Sequence, residues 1–231
     1  MLSVAQLTGR DDSHLVEVDS VHRLQPDAAA AFQRLRVEAR AAGFELAIAS
    51  SYRSFARQCL IWNGKARGER AVHDDAGAPL DIRSLSGAAR LHAILRFSAL
   101  PGTSRHHWGT DLDVYDARAV SAGYSVQLTP AEVAPGGPFD PLHRWLDERM
   151  AAHASEGFFR PYGRDRGGVA PERWHLSFAP LSRELAGRLT VETLRECWDC
   201  AVEPLALRDE VEAELPALLA RYVAVADNWC E

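Results

Sequence analysis

The sequence predicts an α+β fold in which helices flank a small antiparallel sheet and a helical extension follows at the C-terminal end. Three segments alternate polar and apolar residues as half-buried strands do, at 44–49, 111–115 and 174–178. Elsewhere apolar residues recur at intervals of three and four, the period of a helix buried along one side. We therefore expect a single domain over residues 1–231, with a core at about 26–180 and the extension at about 181–231.

The first predicted helix begins at Pro26, because the missing N–H of proline is not needed in a first helical turn. Gly43 is a residue of the type that ends helices. The apolar stripe between them consists of Phe32, Leu35, Ala39 and Ala42. Residues 1–25 are predicted to be irregular. The strand after the helix leads directly to Arg53.

The middle of the chain predicts three more helices. One is capped by Ser54 and spans 55–67, one spans 87–98, and one runs from Asp140 to about Ser155. We expect the second and the third of them each to bury one apolar side.

The connections between these helices are predicted from their glycine, proline and polar residues. Residues 68–86 form a long loop, 126–128 are predicted as a short strand, and Thr129 begins a capping box on a brief helical turn. A second loop, 157–170, leads to Glu172.

The tail from residue 180 onward is predicted to be helical. Its apolar positions, which step by three and four, are Val211, Leu215, Leu218, Tyr222, Val225 and Trp229. Two interpretations remain open, a helix pair packed on the core and a face that forms a dimer. We favour a monomer.

Composition excludes several classes of protein. The net charge is −6, and the 25 arginines, against a single lysine, are dispersed, so the chain has no nucleic-acid-binding footprint. No apolar run is long enough to span a membrane. The first residues show no signal peptide, so we expect a cytoplasmic protein as written, or a periplasmic or extracellular one if the chain is a processed form.

The cysteines do not form a recognisable framework. They are Cys59, Cys197, Cys200 and Cys230. The Cys197-x-x-Cys200 pair has no second pair and no preceding strand, so we interpret these residues as ordinary thiols near a helix end.

Two segments about sixty residues apart carry an unusual number of ionisable residues. The first contains His106 and Asp113, and the second contains Glu172 and His175. Buried strands rarely carry such groups unless they are paired or bind a metal. A catalytic zinc site has three protein ligands, an open position for water and a base beside it. Two imidazoles and one carboxylate can supply the ligands, and a further carboxylate can supply the base.

The residues alone leave two ligand choices open. His107 competes with His106, and Asp111 competes with Asp113, since both aspartates fall on the same face of the predicted strand. The acidic segment His73-Asp74-Asp75 is interpreted as solvated, not as a second metal site.

These segments resemble the zinc D-alanyl-D-alanine carboxypeptidases of the VanY type, which share a superfamily with VanX-type dipeptidases and hedgehog domains. The pattern Ser-x-His-x-x-Gly-x-x-x-Asp begins at Ser104, and Glu-x-Trp-His begins at Glu172. A third pattern, Ser-x-Tyr-Arg-Ser followed by Gln, begins at Ser50 and ends with Gln58. The match covers roughly 45–178. Asp111 is a departure, because many members have a small apolar residue there.

The resemblance implies a role for each matching residue. His106, Asp113 and His175 would bind one Zn²⁺ ion carried by the small sheet. Glu172 would act as general base and acid, and Arg53 would face the scissile carbonyl. The implied substrate contacts are Tyr52, Gln58 and Ser104.

The activity that the resemblance implies is hydrolysis of the terminal D-Ala-D-Ala bond of peptidoglycan stem peptides. The alternatives are a D,D-dipeptidase, an L,D-carboxypeptidase or endolysin-type peptidase, and a non-catalytic zinc domain that binds a partner. The presence of both Glu172 and Arg53 favours an enzyme, since binding alone requires neither.

Overall fold

A four-stranded antiparallel sheet carries the two segments that the sequence singled out. The structure is a computed structural model and describes residues 1–225. Its strands are β1 (Val16–Glu17), β2 (Arg23–Leu24), β3 (Leu46–Ser50), β4 (Asp111–Asp116), β5 (Phe158–Phe159) and β6 (His175–Phe178). The sheet has the order β3-β4-β6-β5, and β1 and β2 form a separate ribbon. The α+β class with a small antiparallel sheet is therefore confirmed.

Nine α-helices lie within residues 1–225. They are α1 (Val4–Leu7), α2 (Pro26–Ala41), α3 (Phe55–Ala66), α4 (Gly87–Leu95), α5 (Pro130–Val133), α6 (Asp140–Ala151), α7 (Ala179–Ser182), α8 (Val191–Asp199) and α9 (Arg208–Leu218). Shorter 3₁₀ turns span Ile82–Ser84, Arg105–Trp108, Ala117–Ala119 and Ala186–Arg188, and a π-helical turn spans Leu219–Val223. None of the helices in this part of the chain has the length and apolarity needed to cross a bilayer.

One core lies between α2, α6 and the sheet. Phe32 and Leu35 on α2 are buried, as the predicted stripe requires, and α2 starts at Pro26. They pack in one cluster with Leu112 and Val114, which project from the apolar face of β4. The opposite face of β4 is thereby free to carry the ionisable residues.

A second core joins the C-terminal helices to α3 and α4. Trp62 and Leu91 from those helices pack with Leu194 of α8 and Leu215 of α9. Trp62 also donates its indole N–H to the carbonyl of residue 206, at 2.9 Å. The tail is thus a set of helices packed on the core. Trp229, the last residue of the predicted stripe, lies outside the described residues.

The cysteines of the described residues are free thiols. Cys197 is buried and Cys200 is exposed, at the end of α8. Burial raises the pKa of the Cys197 thiol, which makes it less reactive. Cys230 lies beyond the part of the chain that the structure describes.

Two sequence-based expectations for local structure were wrong. Residues 1–25 are not irregular throughout, because Ser3 and Gln6 form a capping box on α1 and a ribbon follows. Residues 126–128 form no strand. Instead the Glu132 carboxylate accepts the backbone N–H groups of Gln127 and Thr129, which takes the place of strand pairing.

His143 in α6 makes stability depend on pH. Burial, reinforced by the nearby charges of Arg160 and Arg173, lowers the pKa of this imidazole to about 2. It is neutral when folded and takes up a proton on unfolding below its ordinary pKa of about 6.5. Its contribution is complete above pH 6.5 and falls by about 1.4 kcal/mol per pH unit as the pH drops toward 2.

We expect His143→Leu to reduce the proton uptake on unfolding by about one at pH 5. The measurement is the free energy of unfolding in urea from pH 7 to pH 4, with the exposed His153→Leu as the control. An unchanged pH slope in the His143 variant would contradict this assignment.

Candidate active site

Three candidate metal ligands meet where a short turn and two strands approach each other. His106 lies in the Arg105–Trp108 turn, Asp113 in β4 and His175 in β6, and the register places Asp113 opposite His175. Gly109, at a φ of 69°, turns the chain from the 3₁₀ turn into β4 without strain. One donor atom of each side chain lies within 4.8 Å of the other two, and all three residues are buried.

The hydrogen bonds of the two imidazoles orient them toward the carboxylate between them. His106 Nδ1 lies 2.8 Å from the carbonyl oxygen of Ser51, and His175 Nε2 lies 2.9 Å from Asp111 Oδ1. The remaining nitrogens, His106 Nε2 and His175 Nδ1, face Asp113 at 3.4 Å and 3.3 Å. Outer partners of this kind hold metal-binding histidines in position.

Asp113 has a buried oxygen that the protein does not satisfy. Its Oδ1 has no hydrogen-bond partner among the described residues. Such an atom is costly unless a cation or donor meets it. Two imidazole nitrogens and a carboxylate oxygen are a donor set that catalytic zinc sites use. The residues present therefore fit a zinc ion.

The pKa values of the two imidazoles are shifted in opposite directions. Burial lowers the pKa of His106 to about 3, so its ring is neutral at neutral pH. Burial also opposes charge on His175, but the hydrogen bond to Asp111 and the nearby carboxylates of Asp113 and Glu172 outweigh that effect and hold its pKa well above the usual value. Without a metal, a proton on His175 neutralises part of the surrounding negative charge.

The structure distinguishes the two histidines that the sequence left open. His107 Nδ1 lies 2.6 Å from the carbonyl oxygen of Arg53, and its Nε2 accepts the backbone N–H of Gly102 at 3.2 Å. Both ring nitrogens are therefore occupied. His107 positions the backbone of Arg53 and is not among the clustered donors.

The structure likewise separates the two aspartates. Asp111 is fully buried, and its Oδ1 accepts from Arg105 Nε at 2.8 Å as well as from His175. Burial would raise the pKa of Asp111, but the charge of Arg105 and the bond from His175 outweigh it and lower the pKa. Asp111 thus supports His175 from behind, while Asp113 faces the free nitrogens.

Glu172 lies beside the three donors without joining them. Its Oε2 is 3.4 Å from His175 Nδ1, and its side chain is 15% exposed. Its backbone N–H donates to the carbonyl of Tyr162 at 2.9 Å, which holds the segment before β6 against the preceding loop. A carboxylate in this position is accessible to a water molecule at the site.

Arg53 lies just after the end of β3 and is tied to the same site. Its backbone N–H donates to the carbonyl of His106 at 3.1 Å, and its guanidinium donates to Gln58 Oε1 at 3.1 Å. Burial lowers the pKa of Arg53, whereas the carboxylates of Asp113 and Glu172 oppose that shift. A half-buried cation thus lies near the two carboxylates of the site.

Of the three substrate contacts predicted from the sequence, Gln58 and Ser104 lie beside residues of the site, whereas the Tyr52 hydroxyl points elsewhere. Gln58 bonds to Arg53, and Ser104 is buried two residues before His106. Tyr52 donates its hydroxyl to the carbonyl of Gly9 at 3.1 Å, toward the N-terminal segment. The structure therefore does not bring the Tyr52 hydroxyl to the metal cluster, and the substrate role of all three stays a prediction.

Two residues of the site escaped sequence analysis. Arg105 is 3% exposed and pairs with Asp111, and its position next to His106 was the available signal. Tyr162 stacks edge-on against His175, with ring centroids 5.1 Å apart. It lies in a loop rich in glycine and proline, where no periodicity marks which side chains turn inward.

We expect Asp111→Asn to weaken zinc binding by about tenfold to a hundredfold, because His175 loses the carboxylate that orients it. The variant also leaves Arg105 buried without a counterion, which costs about 3–5 kcal/mol of stability. Zinc titration against a competing chelator measures the first effect, and urea unfolding measures the second.

Asp116→Asn is the matched control, because Asp116 is a buried residue of the same strand whose carboxylate accepts the backbone N–H groups of Glu45 and Arg118. It should lose stability and keep its zinc affinity. If Asp111→Asn bound zinc as tightly as the unsubstituted chain, the orienting role of Asp111 would be refuted.

Comparison with known proteins identifies the family. The model of the VanY family, described as D-alanyl-D-alanine carboxypeptidase, matches residues 21–181. The chain belongs to this family. The expectation of a zinc metallopeptidase of the VanY type is thereby confirmed, and the match includes every residue discussed above for the metal cluster.

Two relatives in sequence come from Haemophilus influenzae. An uncharacterized protein of Haemophilus influenzae is 48% identical over 103 residues, which cover 43% of this chain and 70% of the relative. A second uncharacterized protein of the same organism is 33% identical over 101 residues, which cover 43% of this chain and 75% of that relative.

Solved structures share the VanY fold. A mutant of the vancomycin resistance D,D-pentapeptidase VanY in complex with Zn(II) has a TM-score of 0.52 at 23% identity, covering 75% of this chain and 84% of that one. VanYB in complex with D-alanine-D-alanine has a TM-score of 0.52 at 21% identity, covering 81% and 90%. The LdcB LD-carboxypeptidase has a TM-score of 0.51 at 20% identity, covering 81% and 80%.

Proposed function

We propose that this VanY-family protein is a zinc-dependent carboxypeptidase that removes the terminal D-alanine from peptidoglycan stem peptides ending in D-Ala-D-Ala. One observation carries the proposal. The unsatisfied oxygen of Asp113 and the free nitrogens of His106 and His175 converge on one point, and Glu172 stands beside it. VanYB, which shares the fold, was solved with D-alanine-D-alanine.

His106, Asp113 and His175 would hold one Zn²⁺ ion. When bound, zinc supplies Lewis acidity, which lowers the pKa of water from about 16 toward about 7 and polarises a carbonyl group. The chain itself supplies the neutral imidazole of His106, and His175 gives up its proton when the metal binds.

Glu172 is the proton carrier of the proposed reaction. Its carboxylate would take the proton from the attacking water and return it to the leaving amine. Arg53 is held by Gln58 and by the backbone of His106, so its charge is fixed before substrate arrives. A fixed cation would stabilise the negative charge that grows on the scissile carbonyl oxygen.

The test is release of D-alanine from a stem pentapeptide that ends in D-Ala-D-Ala. We expect release that stops with a chelator and returns when zinc is added. A matched tetrapeptide with an L,D terminal bond and the free D-Ala-D-Ala dipeptide are assayed in parallel. Preferential cleavage of either would replace the D,D-carboxypeptidase proposal, and zinc binding without cleavage of any peptide would indicate a binding domain.

A further inference from the structure

The single lysine of the chain, Lys65, has no part in the proposed mechanism. Lys65 is in α3, seven residues after Gln58, and two helical turns separate residues on one face. Its side chain is half-buried. Lysines are among the residues least often buried, so an ammonium that is partly withdrawn from water requires an explanation.

Lys65 reaches toward Gln58 and so toward Arg53. Its Nζ lies 2.6 Å from the Ser98 hydroxyl, and Gln58 Nε2 donates to the carbonyl of the next residue, Ala99, at 2.6 Å. The two side chains therefore contact consecutive residues of one segment. Gln58 in turn accepts a hydrogen bond from Arg53, so a chain of contacts through Gln58 links the ammonium to the guanidinium.

The ammonium has donors to spare. Ser98 is its one hydrogen-bond partner among the described residues, and none of their carboxylates forms an ion pair with it. An ammonium has three donors. Burial and the charge of Arg53 lower the pKa of Lys65 to about 8, against the opposing effect of Glu172, so the amine is still mostly protonated at pH 7. An anion bound here would accept hydrogen bonds from the unused N–H donors and would stabilise the positive charge that burial disfavours.

We infer that Lys65, with Ser98, binds the free C-terminal carboxylate of the substrate. The inference rests on the proposed function, in which Arg53 faces the scissile carbonyl. The terminal carboxylate lies one residue beyond that carbonyl, a step of about 3.8 Å between consecutive Cα atoms. A second cation connected to Arg53 through Gln58 would meet that carboxylate, whereas an interior peptide bond has no charge to offer there.

This assignment makes the protein an exopeptidase. A carboxylate that meets Lys65 would set the register of the peptide, so that the last peptide bond lies at the metal cluster. A peptide that continues past this point would bring an uncharged amide against the ammonium and leave that charge without a counterion, which disfavours the longer peptide. The endolysin-type alternative is thereby disfavoured.

The test compares two stem pentapeptides that differ only in a terminal carboxylate or carboxamide. For the unsubstituted chain we expect kcat/KM to be about tenfold to a hundredfold higher for the acid, the range of a charged hydrogen bond. Lys65→Met should lose this preference by raising KM for the acid and leave the amide unchanged. Lys65→Arg should keep part of it.

Arg57→Met is the matched control, since it removes one positive charge from the exposed side of the same helix. It should keep the preference for the acid. If Lys65→Met retained that preference, or slowed both peptides equally, the inference would be overturned.

A measurement of peptide binding distinguishes a failure of this inference from a failure of the proposed function. Calorimetry in a Glu172→Gln background measures the affinity for each peptide without turnover. Stronger binding of the acid that depends on Lys65 supports the inference even if no hydrolysis is found, whereas a protein that binds neither peptide overturns both proposals.

Discussion

Glu172→Gln is expected to retain zinc and to lower kcat by about 10²- to 10⁴-fold, the range for loss of a general acid or base. The carboxylate lies outside the three clustered donors, so its removal leaves the metal ligands intact. Glutamine has the same shape but cannot take the proton from water. Metal content is measured on the purified variant, and single-turnover rates are measured with the stem pentapeptide.

The control for this variant is Glu184→Gln, an exposed carboxylate beyond β6 that should leave both quantities unchanged. Full activity in Glu172→Gln would remove the base assignment. Loss of zinc together with activity would show that Glu172 serves as a ligand and not as the proton carrier.

His175→Ala is expected to lose both zinc and hydrolysis. Structural zinc ions are bound with about 10–16 kcal/mol, so one of three ligands accounts for roughly 3–5 kcal/mol, or several hundredfold to several thousandfold in affinity. The substitution also leaves Asp111 and Asp113 close together without the imidazole that bridges them. Zinc affinity by chelator competition and D-alanine release are the two measurements.

His107→Gln is the matched control, because it alters the neighbouring buried imidazole that is bonded to the backbone of Arg53. We expect reduced folding stability and a zinc affinity close to that of the unsubstituted chain. Zinc bound normally by His175→Ala, or lost by His107→Gln, would reverse the assignment of the two histidines.

The sequence could predict the sheet and the candidate ligands because both follow from local patterns. Alternation marked β3, β4 and β6, and the motif spacing marked His106 and His175. The choice between Asp111 and Asp113 could not be made in this way, since alternation places both on one face. It depends on Arg105 and on the pairing of β4 with β6, which are contacts between distant segments.

The packing of the C-terminal helices and the position of Lys65 also depend on contacts between distant segments. Apolar periodicity predicted the helices, but long-range contacts such as that between Trp62 and residue 206 show that they share a core with α3. A lone lysine in a helical segment is ordinarily solvated. Its position beside Gln58 becomes evident only when both side chains reach the segment containing Ser98.

The central claim is that two distant segments of the chain close around a single zinc ion. Anomalous diffraction at the zinc edge from crystals of the zinc-loaded protein tests it most directly. We predict one peak per chain, bounded by His106 Nε2, His175 Nδ1 and the carboxylate of Asp113. A zinc peak at another set of side chains, with none among these three, would contradict the account.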